Sequence, residues 1–171
     1  MAQHVDSAGA SPSLVRTAEW NECAKDGHCA NAARPDDVLA SAASFADAQA
    51  FVAWHQKMLG PVRMAVFEDL TPTAVSELVA AVTPSPRLRV WLGACRPAEG
   101  FTTPSPDRRR VFGMAAEGPE RMNPAGQICV GADCIECQIA DLSAEGVETR
   151  WLYHAGLYQG IGIVVVEEGD L

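Results

Sequence analysis

The chain has 171 residues, 48% of them apolar and 20% charged, with a net charge of −9. Those values exclude a disordered chain, a collagen-like repeat and a disulfide-dominated miniprotein, and a folded chain of this size buries roughly 70% of its extended surface. The excess of 22 acidic over 13 basic residues disfavours a phosphate backbone or an anionic bilayer as partner, so neither nucleic acid nor membrane is expected.

Residues 1–17 are rich in small and polar types, which reads as a flexible N-terminal tail. They hold no basic n-region and no apolar h-region, so no secretory signal is recognised and the expected location is cytoplasmic. Eleven arginines beside two lysines, with abundant alanine, suggest a GC-rich bacterial source. One α+β domain is expected over 18–171. Residues 18–35, with Trp20, Cys23, His28 and Cys29, read as irregular but packed.

A helix is predicted after the capping pair Ser44 and Asp47, with Phe45, Ala48, Val52, His55 and Leu59 on one stripe and Gly60-Pro61 as its stop. Val62–Phe67 alternates as a strand. Thr71-Pro72 then supplies the N-cap and first residue of a second helix, whose apolar face is Val75, Leu78, Val79 and Val82. Leu88 to Ala94 alternates again, so these three pieces read as a βαβ unit with a right-handed parallel strand pair. The remainder is strand-rich: Arg109–Ala116, Gln127–Val130, Ile135–Ala140, Glu148–His154 and Tyr158–Val166. The fold class is therefore α+β, a helix and βαβ unit followed by a mostly antiparallel half that extends one sheet.

The densest cluster of chemical groups is Cys129-x4-Cys134-x2-Cys137. This spacing, with Gly131-Ala132 inside it, resembles the cluster loop of plant-type ferredoxins, which implies a [2Fe–2S] site. That family takes its fourth ligand from a downstream cysteine, and none follows Cys137 here. Zinc suits the same thiolates better, with Cys95, or else Cys23, His28 or Cys29, as fourth ligand. A redox pair Cys134-x-x-Cys137 is a third reading, although nothing after Cys137 supplies the helix N-terminus that lowers a thiol pKa. Against all three stands the plain alternative of small buried hydrophobes in a strand-rich core. A strand through Ile135–Ala140 sends Cys134 and Cys137 to opposite faces, which defeats chelation and predicts no stoichiometric zinc. In a cytoplasmic chain, six cysteines are expected to be buried, metal-bound or redox-active in preference to disulfide-paired.

Other groups define no mechanism by themselves. His55 falls on the apolar face of its helix, His154 lacks a named partner, and Glu68-Asp69 suit a helix N-terminus. Arg108-Arg109-Arg110 reads as a solvated loop edge. Without a nucleophile, base and orienting group, the expected function is a small acidic accessory or protein-interaction domain, with Trp20, Trp54, Trp91 and Trp151 as candidate anchors. The alternatives are a cysteine-ligated metal protein and a thiol-redox enzyme. An enzyme reading gains if Cys95, Glu68 and His154 share a cleft.

Overall fold

The computed structural model describes residues 11–30, 42, 44–82, 88–98, 120–122 and 127–168. Eight strands and three helices occur among them: β1 (Pro12–Leu14), α1 (Thr17–Lys25), α2 (Phe45–Met58), β2 (Val62–Met64), α3 (Pro72–Ala80), β3 (Leu88–Pro97), β4 (Glu120–Met122), β5 (Ile128–Val130), β6 (Ile135–Ser143), β7 (Gly146–Tyr153) and β8 (Ile161–Glu167). The arrangement is α+β with mostly antiparallel strands. The expected strand Arg109–Ala116 and the triple arginine lie outside the described residues.

Capping explains where α2 and α3 begin. The Ser44 hydroxyl accepts from the Asp47 N–H at 3.2 Å, and the Thr71 hydroxyl accepts from the Ala74 N–H at 3.2 Å. Pro72 then opens α3 where its missing N–H has no partner to lose. Segment 18–35, expected to be irregular, instead contains α1. Its buried face is only Thr17, Trp20 and Cys23, one residue per turn, too sparse to register as a periodic stripe. Within the stretch read as a tail, Pro12–Leu14 pair antiparallel with β8 as an edge strand.

The main sheet runs β1–β8–β3–β6–β7, and β2 pairs with the far part of β8. Here the expected βαβ unit is corrected. β2 is antiparallel to β8 and β3 is parallel to β8, so the strands flanking α3 run in opposite senses. The parallel partner of β3 is β8, more than 60 residues later. The ladder between β3 and β8 ends at Trp91. Beyond it β2 wedges between β3 and β8: Ala65 N–H donates to Val164 C=O, and Gly93 N–H donates to Ala65 C=O. A Cβ at Gly93 would lie 3.1 Å from the Met64 Cβ, so this close approach of the two strands favours glycine.

Both faces of this sheet are covered. α1 and α2 pack Trp20, Phe51 and Trp54 against Trp91, Ile139, Ile161 and Ile163. On the other face α3 packs Val75 and Leu78 against Val90, Leu92, Leu142 and Val164. β8 is therefore apolar along most of its length and buried from Ile161 to Val166, as a central strand between two layers must be. Buried indole donors are satisfied: Trp91 Nε1 donates to Ala42 C=O at 3.1 Å and Trp54 Nε1 to the Asp26 carboxylate at 2.8 Å. None of the helices among the described residues is long and apolar enough to cross a membrane.

Candidate interaction surface at the edge of the sheet

The C-terminal end of β3 and the N-terminal end of β6 bring together the cysteines that the sequence puts forward, but as disulfides. Cys95 and Cys137 are register partners on these strands and are bonded to each other. Cys129, at the centre of β5, is bonded to Cys134 across the short turn Gly131–Asp133. Cys23, on α1, is bonded to Cys29 just after it. No free cysteine remains.

The metal expectation is corrected by this pairing. Zinc and iron–sulfur clusters need thiolates, and the sulfurs of Cys95, Cys129, Cys134 and Cys137 are bound to one another instead. Among the described residues, no group of three or more His, Cys, Asp or Glu side chains is placed to hold a metal ion. Cys134 and Cys137 also belong to different disulfides and different apolar clusters, so no Cys-x-x-Cys redox pair forms. The cytoplasmic expectation is corrected by the same finding. Three disulfides mark an oxidising compartment, because cytosolic reductants keep thiols open. Five of the six cysteines are buried, Cys95 being exposed near the end of β3, and none is the free thiol of that expectation.

The remaining groups named from the sequence do not converge. Cys95 lines a cavity of about 400 Å³ with Arg96, Arg121 and Cys134. Glu68 lines a different one, beside Thr71 and Glu77. His154 lines neither, and its Nε2 lies 3.1 Å from both the Asp133 carbonyl and the Asp133 carboxylate. The Tyr153 hydroxyl donates to the same carboxylate at 3.3 Å. Burial, then the nearby Asp133 charge, pushes the Tyr153 phenol above its usual pKa and keeps it neutral. Asp133 thus bonds both a histidine and a tyrosine. Asp69 ends the turn after β2, where it accepts two hydrogen bonds from Arg63 at 2.7 and 3.1 Å. The Arg63 guanidinium holds its carboxyl below the usual carboxylate range. His55 bonds the Gly60 carbonyl at 3.0 Å, the role of a satisfied histidine at a helix end. Of the four tryptophans, Trp20, Trp54 and Trp91 are buried in the core, so only Trp151 remains available as an anchor.

Trp151 belongs to β7, the outermost strand of the sheet. Among the described residues, β7 has β6 on one side and no strand on the other. His154 N–H donates to Ile135 C=O at 3.0 Å, and hydrogen-bonded pairs alternate along an antiparallel ladder. From the register, Gly146, Glu148, Arg150 and Leu152 therefore bond to β6. The N–H and C=O groups of Val147, Thr149 and Trp151 point to the open side. Glu148, Thr149 and Arg150 are exposed. Beside this edge, α3 and the β6–β7 turn enclose an apolar groove of about 650 Å³ lined by Phe67, Leu70, Val75, Val79 and Val147. Phe67, at its rim, is 49% exposed.

Family models, curated proteins and solved structures offer no match to the chain. Strand 148–154 was legible as a strand, but its position at the edge was not, because neighbours are set by long-range pairing.

Proposed function

We propose that the chain is a disulfide-braced protein-interaction module of an oxidising compartment, and that it binds an extended segment of a protein along β7. The observation that carries this reading is the β7 edge, open among the described residues, with outward backbone groups at Val147, Thr149 and Trp151 next to the apolar groove. A strand added to such an edge gains main-chain hydrogen bonds, and its alternate side chains reach the pockets beside it. The acidic balance of the chain favours protein over nucleic acid as the occupant. Trp151 supplies a half-buried aromatic at the end of the edge, with the Arg96 guanidinium 4.2 Å above its ring.

The test uses a photo-crosslinking residue at Thr149, compared with one at exposed Lys57 on α2, in the cell that makes the protein. Capture of protein from position 149 and not from 57 is the expected result. Equal capture from both, or none from 149, overturns the edge as the binding surface. Peptide mapping without reduction should recover the three disulfide-linked peptide pairs, and free thiols in the native protein would remove the oxidising compartment from the reading.

A further inference from the structure

Edge strands ordinarily carry charges to repel further strands, and β7 carries two at its exposed centre. They have opposite signs and flank Thr149 symmetrically, as Glu148 and Arg150. An antiparallel partner identical to β7 and centred on Thr149 would set Glu148 of each copy opposite Arg150 of the other. We infer that the occupant of the β7 edge is a second copy of this chain, joined by a two-fold axis through Thr149. This inference rests on the reading of β7 as the binding edge and gives that edge its partner.

Backbone geometry permits this register. Thr149 directs its N–H and C=O outward, so at the two-fold axis the two threonines form a hydrogen-bonded pair. Val147 then bonds with Trp151 of the second copy in the same way, and the Glu148–Arg150 positions become the closer, non-hydrogen-bonded pairs. On this face of the sheet, Arg89, Asp141 and Glu148 lie in one row across β3, β6 and β7. Arg89 bonds Asp141 at 3.2 Å from the inner side. Asp141 and Glu148 are direct cross-strand neighbours of like charge, a destabilising arrangement. The chain's own Arg150 reaches Asp141 at 3.6 Å, while Glu148 forms no ion pair with a described residue. Arg150 of a second copy stands where that row lacks a cation. The opposite face contributes apolar contact, because Val147, which lines the groove, faces Trp151 of the second copy.

Sedimentation equilibrium on the full oxidised chain tests the pairing. Wild type is expected to show a concentration-dependent doubling of its 18.2 kDa mass. Thr149→Pro removes one outward N–H without touching the β6 ladder, and edge strands tolerate proline there, so it should stay folded and monomeric. Glu148→Arg and Arg150→Glu should each be monomeric, since each places like charges opposite one another. Mixed in equal amounts, these two variants present Arg-Thr-Arg against Glu-Thr-Glu and should recover the doubled mass. Circular dichroism confirms that each variant is folded. A wild type that stays monomeric up to about 1 mM, where even a millimolar Kd would show, overturns the inference. So does a single-charge variant that dimerises as wild type does, or a mixture that stays monomeric. If wild type is monomeric while the probe at position 149 still captures another protein, self-pairing fails and the interaction reading stands. If the probe captures nothing, both fail.

Discussion

Two oppositely charged pairs on the same sheet meet different fates. Arg96 and Glu136 face each other across β3 and β6, 3.1 Å apart and partly buried, with Trp151 stacked beneath the guanidinium. Glu148 and Arg150 sit on one strand, exposed, and cannot face each other. The chemistry is the same in both, but the inner pair bridges two adjacent strands, whereas among the described residues the outer pair's strand has a neighbour, β6, on one side only. Interior strands close their charges within the chain, whereas an edge strand leaves half its backbone donors, and here the Glu148 carboxylate, available to another molecule. The disulfide-bearing end of the sheet should therefore be sensitive to substitution, and the open edge indifferent to it until a partner is present.

The sharpest way to break that contrast is to open Cys95–Cys137. It closes a sequence separation of 42 residues, so Cys95→Ala with Cys137→Ala should lower the unfolding free energy by about 4 kcal/mol, measured by urea titration. The same change at Cys129–Cys134, with a separation of 5, should lower it by about 2 kcal/mol. A smaller gap between the two would mean that the long-range cross-link does not hold β3 to β6.

Arg96→Ala comes next, at about 1–3 kcal/mol. It leaves the Glu136 carboxylate, nearly buried, without this partner, and uncovers one face of Trp151. Indole fluorescence should report increased solvent access. Asp69→Asn should cost less, about 1 kcal/mol at neutral pH, because its Arg63 partner is partly exposed. The Asp69 carboxyl is held low in the folded state, so its contribution is present above the usual carboxylate pKa and is lost as pH falls through the lowered value. Thermal melts from pH 6 down to pH 2 should accordingly converge for wild type and variant in acid. The smallest effect is expected at the edge: Glu148→Arg should change monomer stability by no more than about 0.5 kcal/mol. A large loss there would place Glu148 in the fold's own energetics and remove the contrast.

Local features were readable from residues alone wherever the determinant is itself local. The stop at Gly60-Pro61, the Thr71-Pro72 start and the strands expected at 127–130, 135–140 and 148–154, found at 128–130, 135–143 and 146–153, follow from side-chain periodicity, capping and turn chemistry within a few residues. Cysteine content and the burial of five of the six cysteines were readable in the same sense, whereas Cys95 is exposed and Cys134 lies in the turn before β6. Covalent pairing was not. Cys95 meets Cys137 only because β3 and β6 are neighbours in one register, and no spacing along the chain encodes that. The direction of β3 relative to β2, the wedge at Gly93 and the solitary position of β7 likewise depend on which distant strand each one reaches. Glu-Thr-Arg at 148–150 reads as an ordinary solvated strand until the sheet order leaves it, among the described residues, without a neighbour on one side. Short-range patterns fix where a strand forms; long-range burial on both faces of β8 decides who pairs with whom, and therefore which edge remains open.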